Sequence, residues 1–363
     1  MMRTLFLSLF VFTISLAANA AEKGNTPPGN IILYIGDGMG VSQVTAGEIA
    51  SKKFNLDRFS NIGLLTTHSM DKLITDSAAG ATAMSTGFKT NNKMISFTPD
   101  GKALKTVFEH AKEHGWSTGA VATCSITHAT PACFLAHVDS RSKNTEIADQ
   151  IAAADIDVLI GGGWTYFIPQ TEENSKRTDD KNPLAEMEGK MTVVKSVAEF
   201  RATKDVKRLA AFLAPKDLPK ATEREVSLAE LTSKALAILS KNEQGFILMV
   251  EGSQIDWAGH DNNLEYLVPE VLDFDAAVGV GLDFAEENAE TLVLVTADHE
   301  TGGFAIHGGS IAENVVSEAG FTTGGHTGAM VLVFSKGPGE DFFDGIQDNT
   351  IIGKKLIDFV KAK

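Results

Sequence analysis

Short runs of unbroken apolar residues punctuate the chain and stop abruptly at glycine or at a carboxylate. The first occupies residues 30–35 (Asn-Ile-Ile-Leu-Tyr-Ile) and ends at Gly36-Asp37-Gly38-Met39-Gly40. A run of strand length without polar alternation predicts a strand covered on both faces, as in a parallel sheet. Comparable runs predict strands near residues 62–67, 117–123, 157–160, 245–250, 291–296 and 330–334, and a shorter one near 209–213. Helical patterns lie between them: one ending at Ala50, one over 102–114 with Gly115 as its stop, then 144–154, 227–239 and a long helix over 265–287. Strands alternating with helices predict an α/β fold, with a doubly wound, mainly parallel central sheet flanked by helices on both faces. From Trp164 to Arg224 polar residues dominate, so surface loops are expected there, and inserts should be small. No tandem repeat or low-complexity tract divides the chain, which predicts one domain over residues 21–363.

The first twenty residues depart from this pattern. Arg3, an apolar stretch over 5–16 and Ala18-Asn19-Ala20 have the layout of a signal peptide cleaved after Ala20. The stretch is too short to span a bilayer, and no later segment approaches 18 consecutive apolar residues. The mature chain is therefore expected in the periplasm or outside the cell, free of the membrane. Its formal net charge moves from −15 to −16 when Arg3 leaves with the signal. Such acidity argues against nucleic acid as a partner, since that needs a broad basic face. A small anion held by bound cations remains compatible, because such ions dominate the local charge. Two cysteines, Cys124 and Cys133, are too few for a disulfide scaffold. An oxidising compartment permits a bond between them, and two buried thiols fit as well.

Chemistry-bearing residues gather where the predicted strands end. In Thr75-Asp76-Ser77-Ala78-Ala79-Gly80, Asp76 suits a helix N-cap and Ser77 the first turn, where free N–H groups favour an anion. The same residues also describe a capped packing helix. Serine becomes a nucleophile only beside a base or a metal, and no His or Lys lies within three residues of Ser77. Asp37, between glycines, suits a ligand or a turn. Pro131 is expected to start a helix capped by Thr130 and ending at Asp139-Ser140-Arg141. The strand over 245–250 delivers Glu251, followed by Asp256 and His260 at i, i+4 spacing. The strand over 291–296 delivers Asp298-His299, and a loop delivers His326. Strand ends of a doubly wound sheet meet along one edge. Carboxylates with imidazoles suit zinc, whereas an all-oxygen set suits magnesium. His110 and His114 share the i, i+4 spacing but lack a carboxylate-rich loop, which favours a surface helix. Gly161-Gly162-Gly163 fits no nucleotide fingerprint and predicts a tight turn.

In order and spacing these motifs resemble those of the alkaline phosphatases. They are Asp37-Gly-Met-Gly, Asp76-Ser77-Ala-Ala, Thr130-Pro-Ala, Glu251-Gly-x3-Asp256-x3-His260, Asp298-His299-Glu-Thr-Gly-Gly and Gly-Gly-His326-Thr. The resemblance runs from about Asn30 to near the C-terminus. It implies a phosphomonoesterase of broad specificity, with phosphate monoesters and inorganic phosphate as its small-molecule partners. It also implies two zinc ions and one magnesium ion per subunit. One zinc would be held by Asp256, His260 and His326, the other by Asp37, Asp298 and His299 with Ser77 joining as alkoxide. Magnesium would take Asp37, Thr130 and Glu251. Ser77 would carry a phosphoserine intermediate, and Arg141 would fork onto two phosphate oxygens. His128, where some relatives have Asp, is expected to reach magnesium through water. Trp257, where others carry Lys or His, is expected to face the phosphate side and alter affinity for product. A homodimer is a family expectation, though the short span between His299 and His326 leaves room for only a small extra subdomain.

Two rivals share the metal core. A sulfatase needs a modifiable Cys or Ser in a Cys/Ser-x-Pro-x-Arg context, which Ser77-Ala78-Ala79 lacks. A phosphodiesterase usually pairs Thr with two zinc ions, whereas Thr130 and Glu251 favour a third metal. A non-catalytic phosphate- or metal-binding protein is a more distant alternative, and intact Ser77 and Arg141 argue against it.

Overall fold

The computed structural model of the chain describes residues 26–363, so the expected signal peptide over 1–20 lies outside the described residues. In chain order the strands are β1 (Asn30–Gly36), β2 (Asn61–Thr66), β3 (Ser117–Ser125), β4 (Val158–Gly162), β5 (Thr192–Val194), β6 (Leu209–Phe212) and β7 (Phe246–Gly252). They continue with β8 (Thr291–Thr296), β9 (Glu300–Thr301), β10 (Phe304–Ser310), β11 (Val315–Phe321), β12 (His326–Thr327), β13 (Val331–Lys336) and β14 (Gly345–Asp348). Ten of them form one sheet in the order β14-β2-β13-β8-β1-β7-β3-β4-β6-β5. Every pairing in it is parallel except those of β13, which runs against both β2 and β8. β1 lies between β7 and β8, and its residues Ile31 to Ile35 are fully buried, as an unbroken apolar run requires.

Helices flank this sheet. The long helix Leu264–Glu287 packs with Val41–Ala50 and Leu228–Leu239, and Tyr34 of β1 donates its hydroxyl to Ala277 O at 2.8 Å. A second group combines Ser77–Thr86 with Val107–Glu113, Ala129–Leu135 and the C-terminal helix Thr350–Ala362. Among the described residues no helix is long and apolar enough to cross a membrane.

Several local expectations need correction. The helix expected over 102–114 starts only at Val107, because Thr106 and Glu109 form a reciprocal capping box that fixes its first turn. Pro131 does not open its helix and Thr130 does not cap it. The helix begins at Ala129 with His128 at the N-cap position, so Thr130 and Pro131 sit inside the first turn, where a missing N–H costs nothing. That helix stops at Leu135, and Asp139-Ser140-Arg141 belongs to the following loop. The stretch from Trp164 to Arg224 is more ordered than polar composition suggested. It contains helices Pro183–Glu188 and Val197–Ala202 and adds β5 to the sheet edge beside β6, the strand expected near 209–213. Buried Arg177 fastens it, bonding Asp179, Asp149 and the carbonyls of Thr145 and Tyr166.

Candidate active site

Register brings the first ligands together. Ile35 of β1 is opposite Glu251 of β7 and Thr296 of β8, so Asp37 and Asp298, each two residues further on, leave the sheet side by side. Gly38 turns the chain with φ +74°, and a Cβ there would come within 2.7 Å of Asp256 Cα; only glycine permits this approach. His326 arrives by a different route. The short strands β9 and β12 pair antiparallel with His326 opposite Thr301, which carries the imidazole in from the loop beyond the β10–β11 hairpin.

Ser77 opens a helix that is buried along all its length. Asp76 caps it, accepting from Ala79 N at 3.0 Å, and Gly87 closes it in the left-handed region. At Gly80 a Cβ would meet Asp298 Cβ and carbonyl oxygen at 3.1 Å, so a small residue lets the helix lie against the Asp298 turn. Ser77 Oγ consequently lies 3.3 Å from His299 Nε2. The capping carboxylate has a second task. Asp76 Oδ2 pairs with Arg141 Nη1 at 3.2 Å, holding the guanidinium beside the serine, while Arg141 Nη2 lies 3.3 Å from His128 Nε2. Trp257 stands edge-on to His128, with centroids 6.0 Å apart.

Two clusters have the geometry of metal sites. In the first, His260 Nδ1 meets Gly324 O at 2.7 Å and His326 Nδ1 meets Thr75 O at 2.9 Å. These contacts engage Nδ1 of both rings and leave their Nε2 atoms, 3.2 Å apart, as the nitrogens that can turn to a ligand. Asp256 reaches the same point, 3.4 Å from His260 Nε2 and 3.5 Å from His326 Nε2. Two ring nitrogens and a carboxylate converging this way fit a cation with nitrogen and oxygen ligands once the rings give up their Nε2 protons. The second cluster, Asp37, Asp298 and His299, is wholly buried; His299 Nε2 lies 3.2 Å from Asp298 Oδ2 and 3.5 Å from Asp37 Oδ1. Both of those carboxylate oxygens, and Glu251 Oε1, lack a hydrogen-bond donor, a costly state that a bound cation relieves. Thr130 Oγ1 lies 3.4 Å from Asp37 Oδ2. The donor sets therefore fit the ions that the resemblance implied.

Charge crowding marks the same residues. Burial, then the fields of Asp298, Asp256 and Glu251, raise the Asp37 carboxyl well above the usual range. Burial pushes Glu251 up to about 8, and burial with Asp256 pushes Asp298 up to about 6. Burial also works against ionisation of Asp256, but its hydrogen bond to His260 and the neighbouring imidazoles hold it below normal. The same hydrogen bond raises His260 to about 9. Burial, then Arg141, depresses His128 to about 3, and burial with His326 keeps His299 neutral.

His110 and His114 remain apart from these clusters, with His114 Nδ1 near His110 O on the helix that carries them. Cys124 and Cys133 are buried free thiols. One residue escaped the sequence reading. Thr301 Oγ1 donates to Asp256 Oδ1 at 2.5 Å and lies 3.2 Å from His299 Nδ1, linking ligands of the two clusters. Its signal was faint: it stands two residues beyond His299, in a strand of only two residues.

The fold and these clusters define a metal-dependent hydrolase of the α/β class, and comparison with known proteins narrows that class. The alkaline phosphatase family model matches residues 29–316. Alkaline phosphatase 3 of Bacillus subtilis (strain 168) is 35% identical, over 94% of this chain and 91% of its own length. The solved alkaline phosphatase of the Antarctic bacterium TAB5 is 39% identical with a TM-score of 0.85, covering 93% of this chain and 98% of that one. Two variants of the TAB5 enzyme, with Glu or Asp in place of a histidine, hold magnesium in its M3 site. The chain belongs to the alkaline phosphatase family, whose members are metal-dependent phosphoric monoester hydrolases.

Proposed function

We propose that this chain hydrolyses a broad range of phosphate monoesters to alcohol and inorganic phosphate through a phosphoserine at Ser77. One observation carries the reading: Ser77 Oγ opens a buried helix 3.3 Å from His299 Nε2, inside a buried set of carboxylates and imidazoles. Asp256, His260 and His326 would hold one zinc, and Asp37, Asp298 and His299 the other. Asp37, Thr130 and Glu251 would hold magnesium, an oxygen-only set of the kind that ion takes. Bound ions supply Lewis acidity, which activates a hydroxyl and offsets the charge of attacking and leaving oxygens. The chain's own part is positioning. The Ser77 hydroxyl gives up its proton to solvent and attacks phosphorus, the bond from phosphorus to the ester oxygen breaks, and the departing oxygen takes a proton from water as the alcohol. Water then cleaves the phosphoserine. Arg141, steadied by Asp76, forks onto the phosphoryl oxygens as their charge builds. Trp257 and His128 form the wall beside Arg141, and His128 would touch magnesium through water.

Metal removal tests the trinuclear assignment. Chelated enzyme should recover full para-nitrophenyl phosphate hydrolysis at alkaline pH only when zinc and magnesium are both returned. Full recovery with zinc alone would remove the magnesium site and favour a two-metal phosphodiesterase.

Arg141→Ala should lower kcat/KM by about 10- to 100-fold, the loss of a charge-assisted fork, and weaken inhibition by inorganic phosphate in parallel. Arg141→Lys keeps the charge without the fork and should fall between, as steady-state kinetics with phosphate as competitor would read. Export after cleavage at Ala20, a single domain over 21–363 and a homodimer complete the reading. Mass spectrometry of the mature N-terminus and light scattering of the purified enzyme test the first and the last.

A further inference from the structure

Cys124, His128 and Glu251 converge at a place that the reading above uses only in part. Each offers a ligand atom, and the three atoms lie within 4.8 Å of one another. The register explains why: Ala122 of β3 is opposite Glu251 of β7, so the end of β3 carries Cys124 past the carboxylate, and His128 begins the next helix. Cys124 Sγ lies 3.5 Å from Glu251 Oε2, and both residues are fully buried. Glu251 Oε1 and His128 Nδ1 are also buried without a hydrogen-bond partner. Open acceptor and imidazole atoms in so small a space are costly unless a ligand satisfies them.

We propose that Cys124, His128 and Glu251 form a site for a borderline-soft divalent transition ion, zinc above all, which competes with magnesium for Glu251. The competition rests on the reading of Glu251 as a magnesium ligand. A thiolate, an imidazole and a carboxylate suit zinc with a fourth position open, whereas magnesium takes oxygen ligands. Ligation forms the sulfur–metal bond and releases the thiol proton to solvent. His128 presents Nδ1 to the ion, because Nε2 faces Arg141 Nη2 at 3.3 Å. With the ring proton then on Nε2, two donors would face each other, so Arg141 leaves His128 and keeps its pairing with Asp76. Zinc in this site therefore displaces magnesium and loosens one of the two anchors of the phosphate-binding arginine.

Cobalt(II) is the probe, since thiolate ligation gives a near-ultraviolet charge-transfer band that nitrogen and oxygen ligands do not give. The other two metal clusters contain no sulfur, so the band reports on Cys124 or Cys133 alone. Cobalt titrated into the metal-depleted mature chain should produce the band. Cys124→Ser, which nearly conserves volume, and Cys124→Ala should both lose it, while Cys133→Ala retains it. Excess magnesium should raise the cobalt concentration needed for half the signal. No band in a folded chain that has bound cobalt, or a band that survives both Cys124 variants, would overturn the site. A band indifferent to magnesium would overturn the competition. The phosphatase reading fails separately: a Cys124-dependent band with no phosphate released under zinc and magnesium sinks that reading and leaves the site standing. Hydrolysis without the band does the reverse.

Discussion

Ser77→Ala should lower kcat for para-nitrophenyl phosphate by about 10⁴-fold or more, the scale seen when a covalent nucleophile is removed from an otherwise intact site. The substitution deletes one oxygen from a buried position and leaves the cap intact, because Asp76, not Ser77, accepts from Ala79 N. Ser77 Oγ makes its contact with His299 Nε2, whose other nitrogen lies near Thr301 Oγ1, so the imidazole keeps its orientation in the variant. Zinc content measured on the purified variant should therefore stay close to that of the parent while turnover collapses. Acid-quenched enzyme exposed to labelled inorganic phosphate should retain label on the parent and none on the variant. Turnover within tenfold of the parent would mean that Ser77 is a packing residue and that water attacks the substrate directly. Loss of metal together with turnover would instead place Ser77 among the structural supports of the cluster.

Much of this arrangement was legible before any coordinates because the sheet is buried on both faces. Strands such as residues 30–35 must then be apolar throughout, and the first polar residue after each run marks where the strand leaves the core. That rule singles out Asp37, Glu251 and Asp298 as candidates, and only the resemblance gives them metal-binding roles. Thr130 obeyed a different logic. It sits inside the first turn of a helix, and Pro131 misled because proline is tolerated at several first-turn positions, not only the first. Arg141 was found by resemblance; its pairing with Asp76 crosses 65 residues and leaves no local trace. Thr301 and the β9–β12 pairing were hidden for the same reason, since a two-residue strand has no periodicity to detect. Glu300 shows how such a segment is held: its buried carboxylate accepts from Gln43 Nε2 at 2.8 Å, from Gly303 N and Phe304 N, and from the Thr327 hydroxyl. That clamp ties the helix after β1 to both strands that flank His299 and His326. Its bonds to Gln43 and Thr327 join distant segments and leave no local trace in the sequence.

Metal-free chain should lose stability steadily as pH rises from about 6.5 to about 9, and zinc with magnesium should raise Tm most at the alkaline end of that window. The sign follows from two groups. Glu251 is raised by burial from its ordinary 4.5 to about 8, so the folded chain binds a proton that the unfolded chain has released. Its contribution is fully present below the unfolded value and is gone once pH passes about 8. His260, raised from 6.5 to about 9 chiefly by its hydrogen bond to Asp256, contributes in the same direction, and its share is lost as pH passes through about 9. His128 and His299 act oppositely, because their folded values are depressed, but their effect is confined to pH below about 6.5, where the unfolded imidazoles begin to bind protons. Above that pH only the loss remains. Cations in the clusters replace those protons as partners for the carboxylates, which removes the penalty and lets the site hold its charge where its chemistry needs an ionised hydroxyl. Thermal unfolding followed by circular dichroism, with and without chelator across this window, gives the test. A chelated protein whose Tm is flat or rises from pH 6.5 to 9 would show that Glu251 and His260 are not held in these environments without metal. The same result would break the link drawn between buried carboxylates and metal demand.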